Sequence, residues 1–193
     1  MLENLKKYQV KLASNSPRRK ELLSGLGVDY EVTLLPDIAE NYPKSLKGDE
    51  IPMYIAREKA EAYRDMMNVG DLIITADTIV YLDGEVLGKP RDEADACNML
   101  RKLSGRTHRV ITGVCLTTQQ FQRVFSVTTE VTFVSLSEED ICYYVTNYRP
   151  FDKAGAYGVQ EWIGYVAVSE IKGSFYNVMG LPVQRLYQEL LQL

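Results

Sequence analysis

One stretch constrains the fold more than any other: residues 72–90, LIITADTIVYLDGEVLGKP, place a carboxylate inside a buried-strand pattern. The apolar run at its start is typical of a strand within a sheet. Asp83 and Gly84 predict a tight hairpin turn after it, because both central positions of such a turn need a positive φ. An ionised Asp77 inside the strand is costly unless a cation, a metal ion or a cleft compensates its charge. Asp77 therefore either accepts bonds from nearby backbone N–H groups or belongs to a site.

Length and charge exclude several classes of protein. A chain of 193 residues fits one domain over residues 1–193. The 22 basic and 26 acidic side chains give a net charge of −4, without the broad basic field that nucleic-acid binding needs. No apolar run approaches the roughly 20 residues that span a bilayer, and the first ten residues lack the apolar core of a signal peptide. We therefore expect a cytoplasmic protein that binds neither nucleic acid nor membrane.

The cysteine and histidine counts limit the metal chemistry. Cys97, Cys115 and Cys142 lie far apart in apolar or helical patterns, so we expect buried free thiols in a reducing cytosol. His108 is the single histidine, which excludes a site of several histidines. A metal ion here would be a hard cation with oxygen ligands, such as Mg²⁺ or Mn²⁺.

Two arginines lie in the first turn of a predicted helix. Ser16 is a good N-cap and Pro17 suits the first helical position. Arg18 and Arg19 follow at the end where the helix dipole disfavours positive charge. They are either solvated surface arginines or ligands for an anion, since free N–H groups and guanidinium groups at a helix N-terminus both bind phosphate.

A lysine interrupts the apolar face of the next predicted helix. Residues 51–67 have a helical apolar arc with Lys59 near its middle. Its ammonium group must extend to solvent or meet a negative group. Further patterns predict strands over 30–35, 109–118, 121–135 and 162–171.

The polar residues that the fold does not explain comprise four cations, two carboxylates and a carboxamide: Arg18, Arg19, Lys59, Lys89, Glu40, Asp77 and Gln160. Four cations would match a triphosphate. Two carboxylates would hold a divalent cation and orient a water, which is the minimum for phosphoanhydride hydrolysis. The chain has no Walker motif, so this would not be a P-loop enzyme.

Several short motifs occur in one order, from about Val10 to the C-terminus. They are ASNSPRRKELL (13–23), AREKA (56–60), ADT (76–78), GKP (88–90), LSG (103–105), DKAGAYG (152–158), GSFY (173–176) and GLP (180–182). The set resembles the Maf family of nucleoside triphosphate pyrophosphatases, also called septum formation inhibitor-like proteins. The small residues of 152–160 also suit close backbone approach to a ligand.

The resemblance implies a mixed α/β fold related to the inosine triphosphate pyrophosphatases. It implies an elongated mixed sheet with flanking helices, and two lobes around a central cleft. It also implies a homodimer that depends on Mg²⁺ or Mn²⁺ and hydrolyses a nucleoside triphosphate to the monophosphate and pyrophosphate.

The resemblance also implies roles for single residues. Asp77 is the proton acceptor that activates water, and Glu40 joins it at the metal. The phosphate ligands are Ser14, Arg18, Arg19, Lys59 and Lys89. Arg18, Thr78 and Gln160 match the subgroup similar to dTTP/UTP pyrophosphatases.

The chemistry of a carboxamide agrees with that subgroup. Gln160 can donate to O4 and accept from N3–H, the edge that thymine and uracil share, whereas cytosine reverses this pattern. Two alternatives remain open: a pyrophosphatase for modified nucleotides such as 7-methyl-GTP, and a nucleotide-binding regulator of cell division. A pure binder has no use for a general base beside phosphate, which argues against the regulator.

The adjacency of Asp77 and Thr78 raises a geometric question. Neighbouring residues of a regular strand point to opposite faces, so these two cannot both face one pocket. We expect a strand end or a bulge here, or a role for the Thr78 backbone.

Overall fold

The protein is built on a seven-stranded sheet. The computed structural model describes residues 2–35, 38 and 40–193. The strands of the sheet are β1 Gln9–Leu12, β2 Glu31–Val32, β3 Asp71–Leu82, β4 Glu85–Leu87, β5 Thr107–Thr117, β6 Gln122–Phe133 and β7 Val168–Lys172. The order is β2-β1-β3-β5-β6-β7, and β4 pairs with β3. β1 runs parallel to β2 and β3, whereas the β3–β4 and β6–β7 pairs are antiparallel. The predicted mixed α/β class is confirmed.

The helices are α1 Pro17–Gly25, α2 Glu50–Glu61, α3 Glu93–Leu103, α4 Glu138–Tyr148, α5 Trp162–Ala167, α6 Phe175–Met179 and α7 Val183–Leu191. Short 3₁₀ segments cover Glu3–Lys7, Arg64–Met66 and Ala154–Ala156. Ser16 caps α1 as predicted, because its hydroxyl accepts the backbone N–H of Arg19. Over the described part of the chain, no helix combines the length and the apolar character that crossing a membrane requires.

The chain divides into two compact units. The first unit comprises Met1–Asp77, Thr112–Val127 and Gly180–Leu193, and the second comprises Thr78–Ile111 and Thr128–Met179. Strands β3, β5 and β6 contribute residues to both units. One domain over residues 1–193 stays a prediction.

In the first unit, α2 lies directly against β5. A side chain at Gly113 would place its Cβ 2.4 Å from the backbone carbonyl of Pro52, so only glycine fits under the helix. Ala56 and Ala60 pack on Cys115 at the same contact. The hydroxyl of Thr75 in β3 donates to the carbonyl of Ala56 at 2.6 Å. These small residues bring the helix close to the sheet, and Lys59 with it.

The second unit contains one large apolar core that α3, α4 and α5 share with the strands. Its hairpin forms where the sequence predicts it. Asp83 and Gly84 have φ values of 49° and 89°, and Leu82 pairs with Glu85 across the turn. Gly155 lies against this hairpin, since a Cβ there would be 2.8 Å from the side chain of Val80.

Three predicted elements differ from the structure. The helix predicted over 51–67 ends at Glu61 and is followed by the 3₁₀ segment Arg64–Met66. The strand predicted over 162–171 is α5 followed by β7, because a short apolar run suits a buried helix as well as a strand. Gly164 makes this helix possible: a Cβ there would meet the carbonyl oxygen of Val159 at 1.8 Å. The strand predicted over 30–35 is reduced to Glu31–Val32. The sequence also predicts a polar loop over 36–49, in which Pro36, Asp37 and Ala39 lie outside the described residues.

The three cysteines are free thiols, as predicted, but they differ in burial. Cys115 is buried and Cys97 is half-buried. Burial raises the pKa of both thiols from the ordinary value. Cys142 is exposed on α4, so the prediction that all three are buried was wrong. A helical pattern alone does not say which face of the helix a cysteine takes.

His108 is a buried neutral histidine in the second unit. Its Nε2 lies 2.7 Å from the Tyr157 hydroxyl, and its ring makes edge contacts with Phe133 and Tyr157. Among the described residues, its Nδ1 has no hydrogen-bond partner. Burial lowers the pKa of His108 from 6.5 to about 4 because the apolar surroundings disfavour the charged ring.

We expect His108 to make the second unit acid-sensitive. Between pH 6.5 and about 4 the unfolded chain binds a proton at His108 that the folded protein does not. The free energy of unfolding therefore falls as the pH drops through this window, by on the order of 3 kcal/mol. Urea unfolding of wild type and His108→Gln at pH 7, 5.5 and 4.5 measures it. The contribution of the carboxylates is the same in both proteins and cancels in the difference between their free energies of unfolding. Parallel dependence of the two free energies on pH would contradict the prediction.

Candidate active site

The ammonium group of Lys59 lies between two carboxylates. Its Nζ is 2.7 Å from Oε1 of Glu40 and 2.9 Å from Oδ1 of Asp77. The side chains of Lys59 and Asp77 are 13% and 10% exposed, whereas that of Glu40 is 45% exposed. Of the two predicted fates of Lys59, contact with negative groups is therefore the observed one, and extension into solvent is not.

Three parts of the first unit position this cluster. Lys59 projects from α2, and Asp77 from β3. Glu40 lies outside the helices and strands. The cluster thus combines one helix, one strand and one loop.

The strand end predicted at Asp77 and Thr78 is wrong, because β3 continues from Asp71 to Leu82 through both residues. Asp77 is buried and Thr78 is half-buried. The boundary between the two units falls between them, so Asp77 belongs to the first unit and Thr78 to the second. A bulge at this position and a role for the Thr78 backbone stay predictions.

The guanidinium group of Arg19 is held by backbone carbonyls from distant parts of the first unit. Its Nε donates to the carbonyl of Gly180 at 2.8 Å, and its Nη1 to that of Ala76 at 2.9 Å. Nη1 also lies 3.5 Å from the hydroxyl of buried Ser14, which accepts the N–H of Ser16 at 3.2 Å. These contacts fix the orientation of Arg19 in the first turn of α1. The sequence did not indicate that the carbonyls of Ala76 and Gly180 have this role.

Electrostatics place Arg18, Arg19, Glu40 and Asp77 in one neighbourhood. Burial lowers the pKa of Arg19, the negative charges of Asp77 and Glu40 raise it, and the positive charge of Arg18 lowers it. A guanidinium group nevertheless keeps its proton at all physiological pH values. The first unit therefore brings together six of the predicted site residues: Ser14, Arg18, Arg19, Glu40, Lys59 and Asp77.

The other three predicted site residues, Thr78, Lys89 and Gln160, belong to the second unit. Lys89 is exposed and is the second residue after the end of β4. The carbonyl of the preceding Gly88 accepts the N–H of Gly155 at 3.0 Å, which ties this segment to the run of small residues before Gln160. The Oε1 atom of Gln160 is buried and has no hydrogen-bond partner within the part of the chain that is described.

The structure offers two carboxylates to a divalent cation. Glu40 and Asp77 lie within 2.7 and 2.9 Å of the same ammonium nitrogen, so their oxygens converge on one cation position. Over residues 2–35, 38 and 40–193, no group of three or more His, Cys, Asp or Glu side chains is arranged to hold a metal ion. Mg²⁺ is commonly bound by one or two carboxylates together with substrate phosphates and water, so this donor set fits it.

Three further side chains around Gln160 were missed by the sequence analysis. Lys153, Glu161 and Tyr144 connect to one another and to the backbone next to Gln160. In the sequence, only Lys153 and Glu161, which flank a run of mostly small residues, could have indicated this group of side chains. Tyr144, on the separate helix α4, gave no signal because its partners are distant in sequence.

Comparisons with known proteins agree with these observations. The chain is 67% identical over 193 residues to a dTTP/UTP pyrophosphatase of Phocaeicola vulgatus, and the match covers 100% of each chain. It is 65% identical over 193 residues to a dTTP/UTP pyrophosphatase of Bacteroides thetaiotaomicron, again with 100% of each chain covered.

The fold is also similar to that of a solved structure. The Ham1 protein of Staphylococcus aureus superimposes with a TM-score of 0.53 at 19% identity, with 94% of this chain and 99% of that chain covered. At this identity the likeness concerns the fold alone. The model of the family described as Maf-like protein matches residues 9–193, and the chain therefore belongs to the Maf family.

Proposed function

We propose that this protein hydrolyses nucleoside triphosphates, dTTP and UTP above others, to the monophosphate and pyrophosphate. The observation that carries the proposal is the buried carboxylate of Asp77, held by Lys59 beside two arginines at the start of α1. Relatives that match the full chain at 65% and 67% identity are named dTTP/UTP pyrophosphatases, which supports the choice of substrate.

The cations of the first unit would bind the phosphates. The N-terminus of α1 presents backbone N–H groups, and Arg18 and Arg19 lie in its first turn. Because backbone carbonyls already orient Arg19, its guanidinium loses little conformational entropy when an anion binds. Lys59 adds a third cation, and Lys89 of the second unit would be the fourth.

Asp77 would act as the general base. Its carboxylate takes a proton from a water molecule while the water oxygen forms a bond to the α-phosphorus. The bond from the α-phosphorus to the bridging oxygen breaks, and pyrophosphate leaves with that oxygen. Lys59 fixes the orientation of the carboxylate and neutralises charge beside it, so the base is placed before the substrate arrives.

Glu40 and Asp77 would hold the divalent cation, Mg²⁺ or Mn²⁺. When bound, such a cation supplies positive charge that neutralises the phosphate oxygens as pyrophosphate departs. The ammonium group of Lys59 contacts both carboxylates, and its positive charge compensates the repulsion between them.

Gln160 would read the base. A buried carboxamide oxygen without a partner is unfavourable by about 1–3 kcal/mol, and N3–H of uracil or thymine is a donor that would satisfy it.

Arg18 and Thr78 stay predicted specificity residues because of the family resemblance. A homodimer and a cytoplasmic location also stay predictions, and the free thiols support a reducing compartment.

The first test is turnover of the purified protein on dTTP, UTP, CTP, GTP, ITP and 7-methyl-GTP with Mg²⁺ or Mn²⁺. We expect pyrophosphate from dTTP and UTP, and no orthophosphate. Orthophosphate would contradict attack on the α-phosphorus, and pyrophosphate mainly from 7-methyl-GTP would contradict the proposed base. Absence of turnover on every nucleotide would contradict the function itself.

Replacing Asp77 by Asn should lower kcat about 10²–10⁴-fold, because the amide cannot accept the proton of water. Glu40 remains as a partner for Lys59, so the protein should stay folded. Asp71→Asn is the matched control, since Asp71 is a buried carboxylate of the same strand, paired with Lys11 at 2.8 Å. This control should lose stability and keep kcat. Full activity of Asp77→Asn would exclude Asp77 as the base.

Replacing Gln160 by Ala should relax the choice of base more than it weakens phosphate binding. The ratio of kcat/KM for dTTP to that for dCTP should fall at least about tenfold, because the polar mismatch with cytosine disappears. Inhibition by inorganic triphosphate should not change. Gln188→Ala, at an exposed position of α7, is the control. An unchanged substrate profile in Gln160→Ala would remove Gln160 from the base site.

A further inference from the structure

The backbone around Gln160 forms a closed turn. The N–H of Glu161 donates to the carbonyl of Gly158 at 3.0 Å, which makes Gln160 the third of four turn residues. The carbonyl of Glu161 then accepts the N–H of Gly164 at 2.8 Å, where α5 begins. The position of Gln160 therefore depends on what holds Gly158 and Glu161.

One hydroxyl group holds both ends of this turn. The hydroxyl of Tyr144 accepts the N–H of Gly158 at 3.0 Å and donates to Oε2 of Glu161. Tyr144 is fully buried in α4, and its ring stacks on that of Tyr148 with 5.1 Å between centroids. Burial raises the pKa of Tyr144 and the negative charge of Glu161 acts in the same direction, so the hydroxyl stays protonated and remains a donor.

A buried lysine completes the network. Nζ of Lys153 lies 3.1 Å from Oε1 of Glu161 and 2.7 Å from Oδ1 of Asp152. Both oxygens of Glu161 are thus engaged, one by an ammonium group and one by a hydroxyl. The side chain of Lys153 is 9% exposed, so its charge needs these carboxylates.

The network also determines which residue can occupy position 158. A Cβ at Gly158 would lie 2.9 Å from Cδ of Glu161 and 3.0 Å from Cε of Lys153. Gly158 is therefore explained by side chains of the same unit. Close approach of a ligand, which the sequence analysis expected for the small residues of 152–160, is therefore not required to explain the glycine at position 158.

We propose that Tyr144, Glu161 and Lys153 are positioning residues that fix the turn 158–161 and thereby set the base selectivity exerted by Gln160. The inference rests on the proposed function. Apolar residues of similar volume often replace a buried ionic cluster without loss of stability, so stability alone does not account for this one. A fixed turn, in contrast, is what discrimination between two hydrogen-bonding patterns needs, since a displaced carboxamide accepts from either base.

Tyr144→Phe tests the proposal because it removes only the hydroxyl and keeps the stacked ring. We expect the ratio of kcat/KM for dTTP to that for dCTP to fall about tenfold, mainly through a higher KM for dTTP, as in Gln160→Ala. The Ki of inorganic triphosphate should stay the same, because this probe has no base. The control is Tyr148→Phe, which makes the same chemical change one turn along α4 at an exposed residue.

Glu161→Gln is the second variant, and it decides the question if Tyr144→Phe does not fold. The amide keeps the volume and removes the charge that binds Lys153, so the selectivity should fall in the same direction. Unchanged selectivity in the folded variant would overturn the proposal. A parallel change in selectivity, in the Ki of triphosphate and in the melting temperature would also overturn it, since that pattern indicates a purely structural role.

Binding of dTMP and dCMP, measured by calorimetry, separates this inference from the proposed function. If the wild type hydrolyses no nucleotide, the function is wrong, and binding still decides the inference. Preference for dTMP in the wild type and its loss in Tyr144→Phe would support the positioning network. Equal binding of both nucleotides by the wild type, or an unchanged preference in the variant, would overturn it.

Discussion

A single ammonium group between two carboxylates is the interaction on which the candidate site of the first unit depends. Lys59 interrupts the apolar arc of α2, and Asp77 interrupts an apolar strand, so each side chain would be unfavourable alone. Together, and with Glu40, they form a pair of contacts of 2.7 and 2.9 Å that compensates both charges. Loss of Lys59 would leave the buried carboxylate of Asp77 without this compensation, whereas loss of Asp77 leaves Lys59 its contact with Glu40. The close contacts of α2 with Gly113 of β5 and with Thr75 of β3 bring Lys59 within reach of Asp77.

Features that depend on local chemistry could be predicted from the sequence. The cap at Ser16 and the turn at Asp83 and Gly84 follow from hydrogen bonds and φ values within a few residues. Lys59 and Asp77 could be singled out because each contradicts its local apolar pattern. That they meet each other is a tertiary fact that neither pattern contains.

Features that depend on distant contacts could not be predicted. Arg19 looked like a surface arginine or an anion ligand, but its orientation comes from carbonyls at Ala76 and Gly180. Tyr144 had no distinguishing pattern, although its hydroxyl holds the turn before α5. The helix α5 itself was predicted as a strand, because an apolar run of this length does not separate the two.

The contact between Arg19 and Gly180 has a consequence for the order of events during synthesis. The ribosome releases Arg19 161 residues before its carbonyl acceptor at Gly180. Domains generally fold as units as they leave the ribosome. The guanidinium group of Arg19 therefore acquires its final orientation only after Gly180 has been made, and a nascent chain that stalls before this residue has α1 without its organised arginine.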